Sequence, residues 1–300
     1  MSRTENNILL FSVTLCWAAS YVFIKSLPSD LSTYAYLTMT CGIAAALLTA
    51  VFYRKLRKIK FTAVYKSAVL SVLLLFNLIF DKMGIARLAS STASVLASSS
   101  ILIVPVVLIL LRKKPTRNNM LGAVVIMAGI VITSGFRAEN IFSGGALFML
   151  LSAVMTSVYT IAADKITKEE EPLVLSVLQM WITAMLGFVM WFMEEPTTFA
   201  SLEYTNEVLS SIFILAFFSK AYAYVALMYS QKYSNPISVT IIASTEPVVT
   251  LVLAVLIPTA FEEHFTAAAV FGAAVIMTGA IISGTDFLSR KGGGTLEVKL

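Results

Sequence analysis

Gly122-Ala-Val-Val-Ile-Met-Ala-Gly129 returns as Gly272-Ala-Ala-Val-Ile-Met-Thr-Gly279, 150 residues further on in a chain of 300. Each copy closes its half of the sequence, and each lies in an apolar run long enough to cross a bilayer. A repeat at this distance predicts a duplicated unit. A duplicated apolar unit predicts a membrane carrier built from two related halves. The glycines are seven residues apart in both copies, which puts them on about one helix face and marks them as packing devices.

Composition agrees with a lipid solvent. The chain is 58% hydrophobic and 13% charged, with a mean hydropathy of +0.85. A soluble domain carries roughly 25% charged residues. The net charge of +5 does not point to nucleic acid, because the basic residues cluster between apolar runs, at Arg54-Lys55-Leu56-Arg57-Lys58 and Arg112-Lys113-Lys114. That is the pattern of cytoplasmic loops. Cys16 and Cys41 both fall inside apolar segments and read as small buried thiols.

A spanning helix needs about 20 apolar residues. The sequence predicts an all-α integral membrane protein with ten transmembrane helices: 8–27, 31–53, 62–81, 88–111, 118–135, 144–164, 172–193, 207–229, 236–257 and 265–285. Pro172 suits a first helical turn, and Asn235-Pro236 reads as a cap followed by a first-turn proline. Gly135 and Gly284 read as helix stops. The first apolar run is too long for the core of a cleaved signal, so it reads as a retained helix. With the N-terminus inside, Lys and Arg favour the cytoplasmic segments by about four to one, which predicts both termini in the cytoplasm. Five crossings per half deliver the chain to the opposite side, so the second half is expected to be inverted. The expected units are a first five-helix repeat (1–135), an external connection (136–143), a second five-helix inverted repeat (144–285) and a flexible cytoplasmic tail (286–300), part of which reads as an appended scar.

The repeat extends backwards. Ala97-Ser98-Ser99-Ser100 in the fourth span matches Ala243-Ser244-Thr245-Glu246 in the ninth. Together with Trp17-Ala-Ala-Ser-Tyr-Val-Phe-Ile-Lys25 in the first span, Ala243-Ser-Thr-Glu-Pro247-Val-Val in the ninth and Gly272…Gly279 in the tenth, this resembles the EamA-type branch of the drug/metabolite transporter superfamily. The resemblance covers about residues 8–285. There are departures. Residues 31–53 hold no arginine, and the fourth-span proline stands at Pro105, one turn beyond Ile101. The resemblance implies a secondary-active, alternating-access transporter in the plasma (inner) membrane. Its solute is a small amino acid, amine or related metabolite or drug, moved by efflux with or without proton coupling. A passive facilitator, an exchanger or an uptake carrier is the alternative. It is not expected to be an enzyme, and no cofactor, metal or nucleic-acid partner is implied. Monomer and homodimer are both left open.

Charged groups inside spans cost about 2.5–3.5 kcal/mol each on insertion scales, so they mark cavities or partners. Glu246 lies halfway along the ninth span, just before Pro247, which frees a carbonyl near Ala243. It is the candidate substrate-binding and coupling acid. Lys220, in the middle of the eighth span, is its candidate ion-pair partner. Trp17 and Tyr21 share a face of the first span and can hold an organic cation over their rings. Tyr159, Tyr222 and Asn77 complete the candidate substrate-binding set. Lys25, Asp81 and Lys82 are placed at external helix ends, where snorkelling is cheap.

Overall fold

A computed structural model describes residues 1–28, 31–88, 90–112, 115–133, 143–196, 205–256 and 266–284. The predicted stop at Gly135, most of the connection 136–143, the tail 286–300 and the loop bearing His264 lie outside the described residues. The structure is all helical among the described residues, with α1 (Arg3–Lys25), α2 (Thr33–Phe52), α3 (Phe61–Ile85), α4a (Ser90–Ala97), α4b (Ser100–Leu110) and α5 (Arg117–Thr133) forming the first set. The second set is α6 (Gly144–Glu169), α7 (Pro172–Glu194), α8 (Asn206–Tyr233), α9a (Pro236–Ala243), α9b (Glu246–Leu256) and α10 (Ala267–Gly284). Eight of these are long and apolar enough to cross a membrane, and two shorter apolar helices, Arg117–Ile132 and Val270–Ser283, close the two sets.

The helix starts follow local chemistry. Ser32 Oγ accepts from the Tyr34 and Ala35 amides at 3.2 and 3.3 Å. Ser143 Oγ accepts from Ala146 N at 3.2 Å, Thr205 Oγ1 from Val208 N at 3.3 Å, and Asn235 Oδ1 from Ser238 N at 2.8 Å. Each satisfies an amide that the first turn leaves unpaired. Pro172 and Pro236 both stand in first turns, where the missing N–H costs nothing.

The repeated glycine motifs meet each other. A Cβ on Gly122 would lie 2.7 Å from Gly279 O, and one on Gly129 would lie 2.8 Å from Gly272 O. Helices α5 and α10 therefore pack antiparallel with their backbones in contact, each copy of the motif seated on the other. No side chain larger than hydrogen fits at these positions. Helices α2 and α7, which correspond in the two sets, pack on each other too, as do α3 on α6 and α1 on α8.

The fourth and ninth helices are both broken, and at matching residues. Ser98-Ser99 separates α4a from α4b, and Ser244-Thr245 separates α9a from α9b. The hydrogen bonds of the two breaks correspond one to one. Ser98 Oγ donates to Ser94 O and Ser99 Oγ to Leu96 O, while Ser244 Oγ donates to Thr240 O and Thr245 Oγ1 to Ile242 O. These hydroxyls supply donors where the backbone ladder is interrupted. Proline alone does not make the break, since Ile101 stands in the first half where Pro247 stands in the second, and the Ile101 amide donates to Ser98 O at 3.1 Å.

The outside of the bundle is apolar. Val51, Met185, Phe192, Phe271 and Ile281 are all more than 60% exposed, as expected for surfaces that face lipid. Arg54, Lys55, Arg57, Arg112 and Arg117 gather at one end of the bundle, here called the basic end.

Candidate functional site

Between the two broken helices lies a cavity. It is walled by α1, α3, α4, α6, α8 and α9. Trp17, Tyr21, Asn77, Tyr159, Lys220 and Glu246 all line it. So does Ser100, the residue that stands in the first repeat where Glu246 stands in the second.

Glu246 begins α9b, directly after the break, and is 8% exposed. The Tyr21 hydroxyl acts on its carboxyl electrostatically. Glu246 faces the cavity.

Lys220 lies where α8 widens to π-helical pitch, Leu215–Tyr222. Such wide turns often mark functional sites. The ammonium is 4% exposed and stands over the rings of Tyr36 and Tyr224 at 5.8 and 5.9 Å from their centroids. The carboxyl that acts on it electrostatically is Asp81. Among the described residues no ion pair joins Lys220 to Glu246.

Asp81 was expected at an external helix end. Instead α3 continues to Ile85, four residues beyond the predicted stop, and Asp81 lines the cavity. The signal was present in the sequence: Asp81 follows Asn77 by four residues and shares its helix face. Lys82 was expected to snorkel and does not. It is 6% exposed and donates to Leu31 O at 3.3 Å. Lys25 is exposed, as expected at a helix end.

Tyr222 is left outside. It is 41% exposed, and its hydroxyl pairs with Ser12 Oγ at 2.7 Å. Tyr224, two residues on and so on the other side of the helix, takes the place in the wall. Its ring meets Trp17 at 5.9 Å and Tyr159 at 6.4 Å, giving a continuous aromatic surface. Asn77 spends its amide on α6, donating to Thr156 Oγ1 at 2.6 Å and Ser152 Oγ at 2.9 Å. It ties walls together at the cavity's edge. Tyr159 donates to Gln179 Oε1 at 3.0 Å.

Two carboxyls, one ammonium and an aromatic surface in one cavity can bind a solute that carries an amine. No group of His, Cys, Asp and Glu among the described residues is arranged to hold a metal ion.

The family model for EamA-like transporters matches residues 6–135 and again 143–285. The chain belongs to the EamA-like transporter family. The two matches are the two repeats, so this EamA chain is a membrane transporter and not an enzyme. A search of curated proteins finds no match. Among solved structures, one described only as "Crystal structure of protein" superposes with a TM-score of 0.75 over 97% of this chain and all of its own, at 19% identity. That likeness shows the fold.

Proposed function

We propose that this EamA protein is a secondary carrier that exports a small amine-bearing solute (an amino acid, an amine or a related metabolite or drug) in exchange for protons. In this reading ten helices span the inner membrane as two inverted halves. The basic end and both termini face the cytoplasm, as the excess of Lys and Arg there requires. The antiparallel seat of Gly122…Gly129 on Gly272…Gly279 supports the inversion, because corresponding helices that run oppositely belong to halves of opposite sense.

The observation that carries the proposal is the charge count of the cavity. Asp81 and Glu246 face a single ammonium, Lys220. In a low-dielectric cavity the remaining negative charge calls for a cation. A proton on Glu246 can fill that role, and so can the ammonium of a solute held against Trp17, Tyr159 and Tyr224. One displaces the other, and an inward proton gradient then drives the solute out. Glu246 is the exchanging acid because Lys220 compensates Asp81.

A ligand-stabilisation screen of the purified protein against amines, amino acids, nucleosides and quaternary ammonium compounds identifies the solute. Proteoliposome counterflow follows. Saturable counterflow that an imposed pH gradient accelerates is the expected result. Saturable counterflow indifferent to pH makes the protein an exchanger, and conductance at channel rates removes the carrier.

A further inference from the structure

Below the cavity, toward the basic end, lie buried polar atoms without hydrogen-bond partners. Gln179 accepts from the cavity-lining Tyr159 through Oε1, while its Nε2 has no hydrogen-bond partner. Among the described residues, seven carry buried side-chain polar atoms without partners. Five of these residues, Asn6, Ser67, Gln179, Ser230 and Gln231, lie in the half of the bundle toward the basic end. They come from α1, α3, α7 and α8, which pack as neighbours. Buried polar atoms without partners are rare, because each forfeits its hydration. A cluster of them confined to one half makes sense as the wall of a passage that fills with water in another state.

The mouth of that half is closed by ions. Lys66, one residue before Ser67, reaches Glu170 Oε1 at 2.8 Å and Glu169 Oε2 at 2.9 Å. This ties the start of α3 to the end of α6, across the two repeats. Asn6 Nδ2 hydrogen-bonds Ser234 Oγ nearby in the same way, from the start of α1 to just beyond the end of α8.

The repeat supplies the comparison. Lys66 is the sixth residue after the cap of α3, Lys60, and Ser211 is the sixth after the cap of α8, Thr205. Glu170 follows the end of α6 as Ser26 follows the end of α1. At the opposite end of the bundle Ser26 and Ser211 meet through a single neutral hydrogen bond of 3.1 Å. The same junction is thus charged at the basic end and neutral at the other.

We propose that Lys66 with Glu169 and Glu170 is the cytoplasmic gate of the transport path, and that its neutral counterpart Ser26–Ser211 is the weaker external gate. The protein without solute then rests with its cytoplasmic half closed. These are positioning residues: they touch no solute and set which side of the cavity opens. The inference rests on the alternating-access reading above.

The test needs no solute. In a background of Cys16→Ser and Cys41→Ser, Ser67→Cys is a near-isosteric probe of this buried polar cluster, read by its labelling rate with a hydrophilic maleimide in nanodiscs. Lys66→Glu is expected to raise that rate by about fivefold, a modest shift of a two-state population. Adding Glu170→Lys to Lys66→Glu is expected to restore protection, which a merely disordered helix end would not do. Glu169→Gln with Glu170→Gln gives a milder route to the same opening if the reversal impairs folding. Unchanged labelling in both the reversal and the neutral pair, or failure of the swapped pair to restore protection, overturns the gate. Flat labelling in a protein that performs counterflow removes only the gate. Responsive labelling without counterflow removes only the carrier.

Discussion

Two places in this molecule carry the same duplication and use it differently. At the α5–α10 seam the repeat is kept: glycine meets glycine in both copies, and the chemistry is backbone packing. At the broken helices α4 and α9 the repeat is kept in the backbone and abandoned in side chains. The breaks match hydroxyl for hydroxyl, yet Ser100 stands where Glu246 stands, and Ile101 where Pro247 stands. Symmetry builds the frame, and a departure from it puts a carboxyl in the cavity.

The largest change comes from breaking the symmetric seam. Gly129→Leu drives a side chain into the Gly272 carbonyl and the Ile276 amide and side chain, and the main-chain atoms cannot yield. Overpacking of this kind costs about 3 kcal/mol or more. Loss of the monodisperse peak in detergent chromatography is expected, against retention of it for Gly144→Leu, whose Cβ meets open space.

The asymmetric region responds more selectively. Lys220→Met leaves Asp81 without its compensating charge and is expected to cost roughly 2–3 kcal/mol, the low side of a broken buried pair. Adding Asp81→Asn recovers most of that stability, whereas adding Glu246→Gln does not. Thermal unfolding of the three variants separates the pairing drawn from sequence, Lys220 with Glu246, from the electrostatic coupling of Lys220 to Asp81. Tyr21→Phe removes the hydroxyl that acts on the Glu246 carboxyl. Its signature is an altered pH dependence of counterflow with the fold intact.

The smallest effect lies at the basic end. The hydrogen bond from Lys66 holds the Glu170 carboxyl below its ordinary value of 4.5. A lowered carboxyl stabilises the folded form above that ordinary value, and the contribution disappears as pH falls through the lowered one. Glu170→Gln should therefore lower Tm by about 1 °C at neutral pH. The difference from wild type should be unchanged down to about pH 5 and shrink below pH 4.5 as the native carboxyl protonates. Lys66, Lys60 and Thr62 face Glu170, and Glu169 shares Lys66 with it.

Much of this was legible in the sequence. The duplication, the run of apolar helices, the cap at Asn235 and the first-turn place of Pro172 all followed from spacing and composition. What was hidden has physical reasons. Asp81 was missed because hydropathy ends a span at its first charges, whereas the helix continues to Ile85 and turns that charge inward. Tyr222 was preferred to Tyr224 because the sequence does not announce which face of α8 its wide turns present. The break in α4 has no proline at Ile101 to signal it. Only the correspondence of Ser98-Ser99 with Ser244-Thr245 could have predicted it. Lys66 and Glu170 are 104 residues apart, and local patterning carries no sign of their meeting.

The central claim is that Glu246 is the exchanging acid of a carrier. Its most direct test is solute counterflow and solute-driven proton release measured together in proteoliposomes of the wild type and of Glu246→Gln. The account predicts one proton released per solute bound in the wild type, with neither proton release nor pH-accelerated transport in Glu246→Gln, while the variant keeps its fold. Transport and proton release equal in the two proteins would contradict it.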